Sequence, residues 1–258
     1  MANRATDLPC SDPRRASGQG RSRQDSRAVA RLIWLTSTFS ILSVSSAAAQ
    51  PLVTPDSEPV RRIIVSLQEN RLWLTEGPDT LLSAPVAVGR NATFRHGSKV
   101  YNWETPRGER VILDKRLDPV WNVPDWHYYE RADRENRELI EMVRGRRYPL
   151  ADGSHLEVRG ANVVRVLGQQ FWVVPQGREI IIDGVLYAPP VGTVQRRVPG
   201  ALGTRALDLG EGYLIHGTTP HNQSSIGNAA SHGCIRMHTG DVERLFELVD
   251  RGTPVLIY

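Results

Sequence analysis

The feature that most limits the possible fold is a succession of short β-prone runs separated by turn residues. Gly occurs 22 times and Pro 17 times in 258 residues, so few stretches are long enough for a helix. Strands are predicted at 63–67, 71–74, 81–88, 110–113, 163–167, 171–174, 179–182 and 254–258. This pattern predicts a mainly β domain with a few helices.

One segment has clear helical spacing. Its apolar residues recur three and four positions apart, at Val242, Leu245, Phe246 and Val249, and Gly252 follows. Residues 130–144 have a helix-forming composition with a weaker apolar face. They lie in a less regular region, 115–190, which we interpret as an insert. The aromatic patch at 121–129 lines a cleft or packs as a loop, and the sequence leaves both open.

The first 49 residues have the organisation of a secretory leader. An Arg-rich stretch ends at Arg31, an apolar run covers 32–44, and a tract of small residues ends at Ala49. The apolar run is much shorter than the roughly 20 residues that span a bilayer, which favours cleavage over an uncleaved anchor. We therefore expect a leader at 1–49, a linker at 50–60 and a folded domain at 61–258, exported to the periplasm or cell envelope.

Charge argues against nucleic-acid binding. The chain has a formal net charge of +4, but its first 49 residues contain seven Arg and three Asp. The remainder therefore holds equal numbers of basic and acidic residues. A nucleic-acid-binding domain needs a basic patch of its own. The charge of residues 50–258 gives no sign of one, so we do not expect nucleic acid as a partner. Membrane contact is expected only through an uncleaved leader.

The chain has two cysteines, Cys10 and Cys234. Without the leader Cys234 is alone and cannot form an internal disulfide, so it is a reactive thiol or a small buried hydrophobe. Its neighbours favour reactivity. A β-prone run ends at His216, whose imidazole would take the thiol proton, and Gly233 precedes the cysteine. The backbone N–H groups of Gly233 and Cys234 are candidates for an oxyanion hole.

The spacing of these residues is specific. His216 is followed by fourteen residues and then by Ser231-His232-Gly233-Cys234, which resembles the signature of the L,D-transpeptidase (YkuD-type) catalytic domain. The segments 105–108, 202–207 and 252–255 resemble that family too. The likeness extends over roughly 61–258.

The resemblance implies a β-sandwich-like fold, no cofactor, and a thioester mechanism on a peptidoglycan tetrapeptide stem. The acceptor amine stays open between a second stem, a D-amino acid and a lipoprotein, with water as a further acceptor, and we expect a monomer. The resemblance assigns the site residues as nucleophile Cys234, base His216, orienting residues Gly217, Ser231, His232 and Gly233, and carboxylate-binding residue Arg236.

Two other interpretations of these residues are less well supported by the sequence. A zinc site built from Cys234 and from His216, His232 and His238 has spacings that match no usual zinc pattern, so no metal is expected. A non-enzymatic wall-binding or scaffold module would not need both the cysteine and the histidine, which are present. Both considerations favour the enzyme.

Overall fold

The computed structural model describes residues 60–258, and this part of the chain is mainly β, as predicted. The predicted leader and the linker up to residue 59 lie outside the described residues. Neither α-helix in the described part is long and apolar enough to cross a bilayer.

The elements follow one another with short turns. The strands are β1 Arg61–Ser66, β2 Arg71–Glu76, β3 Asp79–Pro85, β4 Val88–Gly89, β5 Thr93–His96, β6 Lys99–Asn102, β7 Gly108–Val111, β8 Asp114–Leu117, β9 Val120–Asn122, β10 Leu139–Glu141, β11 Tyr148–Pro149, β12 His155–Arg159, β13 Asn162–Leu167, β14 Gln170–Val173, β15 Ile180–Ile182, β16 Val185–Ala188, β17 Arg197–Pro199, β18 Arg205–Asp208, β19 Leu214–His216, β20 Ala229–Ser231, β21 Ile235–Arg236 and β22 Pro254–Ile257. The helices are α1 Asp125–Glu135 and α2 Thr239–Leu248, with 3-10 turns at Val194–Arg196 and Pro220–Ser225.

Two sheets share the main core. The first has the order β3-β2-β1-β22-β7, and the second has the order β21-β19-β18-β8. Alternate residues of β1, such as Ile63 and Val65, are fully buried, which is the period expected for a strand with one face on a core. They pack in one cluster with Leu207 and Ile215 of the second sheet. The sheets therefore form the predicted β-sandwich-like arrangement.

Helix α2 completes this core. Its buried residues are Val242, Leu245 and Phe246, and they belong to the same cluster. The helix starts at Thr239, directly after His238. The final strand β22 then runs parallel to β1 in the centre of the first sheet, which fixes the C-terminus to the first hairpin.

The insert has its own sheets and its own core. Strands β10-β16-β15 form one sheet and β11-β12-β13-β14 form another. Residues such as Met142, Leu156 and Ile180 make a second cluster between them. Strand β8 pairs with β18 and so belongs to the sandwich, which means that the insert begins after Leu117 rather than at 115. Strand β17 pairs with β9 of the insert, so the insert extends to Pro199.

The predicted helix at 130–144 is misplaced. The observed helix α1 covers Asp125–Glu135 and ends at Asn136, whose φ of 49° is left-handed. Residues 139–141 form β10 instead, because they pair with β16 in a parallel register. The aromatic patch at 121–129 is therefore not a loop: its first two residues belong to β9 and residues 125–129 start α1.

Candidate active site

Strands β19 and β21 bring His216 and Cys234 to the same place. The two strands pair in parallel, with Ile215 opposite Ile235 and His216 opposite Arg236. The Met237 N–H also donates to the His216 carbonyl at 2.9 Å. The segment that connects β19 to β21 leaves the sheet and returns to it, so that β21 lies next to β19. Cys234, eighteen positions after His216, thus directly precedes the strand that lies beside β19.

The register also decides which face these side chains occupy. Side chains alternate along a strand, so Ile215 and Ile235 point into the main core while His216 and Cys234 lie on the opposite face. On that face Cys234 packs with Leu214 in a small cluster. Both His216 and Cys234 are buried, with 4% and 3% of their surface exposed. The pair is therefore shielded from bulk water.

The His216 ring is held as a neutral base. Its Nδ1–H donates to the Gly217 carbonyl, which leaves Nε2 as the nitrogen that can accept a proton. Burial, and then the charge of Arg236, lower the pKa of His216 to about 4, against the carbonyl groups of Gly217 and Leu202, which raise it. A neutral imidazole is the form that a general base requires.

Ser231 shapes the turn in front of Cys234. Its buried hydroxyl accepts a hydrogen bond from the Gly233 N–H at 3.0 Å and donates to the Cys234 carbonyl at 2.6 Å. Gly233 has a φ of 126°, which side-chain-bearing residues rarely adopt. The Gly233 N–H, one of the two predicted oxyanion donors, is thus already hydrogen-bonded to the Ser231 hydroxyl.

Thr105 fixes the same turn from a distant segment. Its hydroxyl donates to the Gly233 carbonyl at 2.7 Å and accepts from the Gly89 N–H at 2.8 Å. A Cβ on Gly89 would lie 2.5 Å from the Thr105 nitrogen, so only glycine allows this approach. The motif around residue 105 therefore supports the loop that carries Cys234.

His232 is held by the insert. Its Nε2 lies 2.8 Å from Glu130 Oε2, and Glu130 also pairs with Arg90. The ring stacks on Trp126, with centroids 4.3 Å apart, and meets Trp103 edge-on at 4.8 Å. Burial raises the pKa of Glu130, but the hydrogen bonds from His232 and Arg90 outweigh it and lower the value to about 2.

Arg236 is near His216, whose pKa its charge lowers, and near a second guanidinium, that of Arg90. Burial, and then the charge of Arg90, lower the pKa of its guanidinium. The ion pairs formed within residues 60–258 leave Arg236 without a carboxylate partner. A largely buried guanidinium in this setting is suited to bind an anion.

The chemical state of Cys234 bears on its predicted role. A nucleophile must be a thiol or thiolate, whereas an oxidised cysteine cannot attack a carbonyl. Its prediction as the nucleophile therefore concerns the reduced protein. Trp121 of β9 packs against the cluster that contains Cys234, so the insert lies over this side of the site.

Neither a metal set nor the insert cavity competes with these residues. No group of three or more His, Cys, Asp or Glu side chains within residues 60–258 is arranged to hold a metal ion. His238, part of the weighed zinc set, instead contacts Gln223. A cavity of about 660 Å³ is lined by insert residues such as Leu156, Trp172 and Ile181. The catalytic candidates do not line it.

Comparison with known proteins decides the family. The YkuD family model, described as the L,D-transpeptidase catalytic domain, matches residues 60–257. The chain belongs to this family.

Individual relatives agree with this assignment. A putative L,D-transpeptidase YkuD of Bacillus licheniformis is 51% identical over 181 residues, covering 68% of this chain and 90% of that protein. The protein of the same name from Bacillus subtilis is 42% identical over 84 residues, covering 30% of this chain and 50% of that protein. The chain thus spans half the length of the second relative.

A solved structure of an L,D-transpeptidase from Xylanimonas cellulosilytica is a more distant likeness. It has 16% sequence identity and a TM-score of 0.40, and the match covers 80% of this chain and 63% of that one. The family assignment rests on the sequence matches.

The sequence did not point to Glu130 or Arg90 as members of the site. Glu130 lies 40 residues from Arg90 and 102 residues from His232, so no local spacing connects them. For Thr105 the sequence offers only its place in the segment 105–108, which resembles the family. The one signal for Glu130 in the sequence is an acidic residue that follows several aromatic residues. If such a residue is buried with them, it needs a charged or hydrogen-bonding partner, but the sequence does not show that it is buried.

Proposed function

We propose that this protein is a cysteine-dependent L,D-transpeptidase that acylates itself on a peptidoglycan tetrapeptide stem and transfers the stem to an amine. The observation that carries the proposal is the parallel pairing of β19 and β21, with His216 and Cys234 on one face. Membership of the L,D-transpeptidase catalytic-domain family supports it.

The reaction has two halves. In the first, His216 takes the proton of the Cys234 thiol, and the sulfur attacks the carbonyl of the third stem residue, a diamino acid. The terminal D-Ala leaves as an amine with the proton from His216, and a thioester remains. In the second half an acceptor amine attacks the thioester, His216 receives its proton, and the thiol is restored. The lowered pKa of His216 keeps its ring neutral at pH 7, which is the form that can accept the thiol proton.

Arg236 is proposed to bind a carboxylate of the stem peptide. Its charge acts on the predicted base His216, and no ion pair within residues 60–258 gives it a carboxylate partner, so a bound carboxylate would compensate a charge that burial disfavours. Gly217 would orient the base through its carbonyl, and Ser231 would hold the nucleophile turn. The Cys234 N–H is the proposed oxyanion donor.

Acylation by a carbapenem tests the proposal directly. The full chain is reduced, incubated with the drug, and examined by intact mass, in parallel with Cys234→Ala. We expect one adduct per wild-type molecule and none on the variant. Absence of an adduct on folded, reduced wild type, or an equal adduct on Cys234→Ala, would contradict the assignment.

We also propose that the protein is exported to the periplasm or cell envelope. The support is the sequence alone: an Arg-rich stretch, a short apolar run and small residues up to Ala49. Expression in a bacterial host followed by fractionation should yield an envelope species whose N-terminus is Gln50. A full-length product confined to the cytoplasm would contradict export.

A further inference from the structure

We propose that Glu130 is a positioning residue for the nucleophile loop: from helix α1 of the insert it fixes the ring of His232, two residues before Cys234. The inference rests on the proposed function and extends it, because it gives the insert a role in the reaction.

The Glu130 carboxylate divides its two oxygens between two partners. Oε2 accepts from His232 Nε2–H at 2.8 Å, and Oε1 pairs with the Arg90 guanidinium. The side chains of Glu130 and His232 are each 20% exposed, so this hydrogen bond is screened less than a surface pair. Arg90 directly follows β4, so the carboxylate ties the insert to two segments of the sandwich.

The contact also decides which nitrogen of His232 carries a proton. An ionised carboxylate only accepts hydrogen bonds, so His232 Nε2 must be the donor. Burial lowers the pKa of His232, and the nearby charges of Arg90 and Arg236 add to this effect, while Glu130 opposes it. The ring is therefore neutral, with its proton on Nε2 and Nδ1 unprotonated.

Aromatic packing fixes the plane of the same ring. Trp126 lies one turn before Glu130 on α1, so the two side chains project from one face of the helix. Trp126 stacks on His232 at an interplanar angle of 24°, while Trp103 meets the ring at 81°. Rotation of the ring would lose both contacts and the hydrogen bond together.

This arrangement has a consequence for Cys234. The turn from Ser231 to Cys234 is short and is already constrained by the positive φ of Gly233 and by the Ser231 hydroxyl. Fixing the His232 ring therefore restricts the backbone that presents the cysteine. Misplacement of a reacting group by about 1 Å can cost about 100-fold in rate. Glu130 thus acts through His232 rather than by contact with the substrate.

The test uses the reduced full-length protein and the second-order rate of acylation by a carbapenem. Glu130→Leu removes both charge and acceptor, and Glu130→Gln removes the charge alone. We expect a loss of about 10- to 100-fold for the first and a smaller loss for the second. Glu135→Gln is the matched control. It lies on the same helix and pairs with Arg131 and Arg137 instead of the loop, so its rate should stay within about twofold of wild type.

Two further readouts separate positioning from general damage to the fold. In a double-mutant cycle, Glu130→Leu should cause no further loss in a His232→Gln background, because its effect passes through His232. Imidazole ¹⁵N NMR should report a single Nε2–H form of His232 in wild type and a mixture of forms in Glu130→Leu.

The outcomes are distinguishable. Wild-type rates in Glu130→Leu, or an undiminished loss in the His232→Gln background, overturn the inference. If a carbapenem does not acylate wild type, the proposed function fails. The NMR comparison then still decides the positioning inference, since an unchanged Nε2–H signal in Glu130→Leu would contradict it.

Discussion

At the scale of single residues, His216 makes the sharpest prediction because burial and Arg236 lower its pKa to about 4. An ordinary histidine, with a pKa of about 6.5, is mostly protonated at pH 5.5 and cannot then act as a base. We expect the acid limb of the acylation rate to have its midpoint near pH 4, with little loss between pH 7.5 and 5.5. The measurement is the rate of carbapenem acylation across this range.

Arg236→Gln provides the control for this prediction. Removing the like charge beside His216 should raise its pKa, so the acid limb should move to higher pH while burial keeps it below the ordinary value. An acid limb at about 6.5 in wild type would contradict the prediction, because it would mean that burial and Arg236 do not lower the pKa of the group that acts as the base.

At the scale of elements, the loop before β18 lies against the end of β19. Gly203 has a φ of 69°, and a Cβ there would lie 2.7 Å from Gly217 Cα. Gly203→Ala should therefore push the loop, and with it the Leu202 carbonyl, away from His216. We expect destabilisation of well over the roughly 1–2 kcal/mol cost of a left-handed alanine, and a slower acylation. Urea unfolding and acylation rates measure the two effects.

Gly200→Ala separates conformational strain from the clash. Gly200 has a φ of 75°, close to that of Gly203, but a Cβ there meets nothing within 4 Å. This variant should lose about 1–2 kcal/mol from strain alone and keep its acylation rate. Equal losses in the two variants would mean that the approach of Gly203 to Gly217 is not tight in solution.

The elements also show what the sequence could and could not predict. Alternation and helical spacing predicted β1, β2, β13 and α2 because each buries one face on a nearby core. The sequence misplaced helix α1 for two reasons. Its buried residues are mainly aromatic, Trp126, Tyr128 and Tyr129, and residues 139–141, which look like its continuation, form a strand that pairs with β16. That pairing joins residues far apart in sequence, so no local pattern reveals it.

The same limit applies to the candidate site. The spacing of His216 and Ser231–Cys234 is a local signal, and the sequence located both segments. The ion pair between Glu130 and Arg90, by contrast, depends on where the insert packs on the sandwich. A carboxylate on a helix surface is ordinary until a fold places a histidine against it. Local reasoning therefore located the proposed base and nucleophile and missed Glu130 and Arg90, which contact the loop from distant segments.

At the scale of the whole molecule, the sandwich and the insert have separate cores. The main cluster draws on both sandwich sheets and α2, and the second cluster draws on insert strands and their connections, with no buried residue in common. Separate cores often open as separate units in hydrogen exchange. Contacts at the candidate site link them: Glu130 of α1 contacts His232, and Trp121 of β9 packs against the cluster that contains Cys234.

Leu156→Ala tests whether the insert opens independently. Leu156 is fully buried in the second core, and its truncation should cost about 2–5 kcal/mol. We expect faster amide exchange in β12 and β13 with unchanged protection in β1 and β2, measured by mass spectrometry of peptic fragments. Leu74→Ala, fully buried in the main core, should expose β1 and β2 instead. If Leu156→Ala accelerates exchange equally in both regions, the two cores unfold as one cooperative unit, and the insert is then an integral part of the scaffold that carries Cys234.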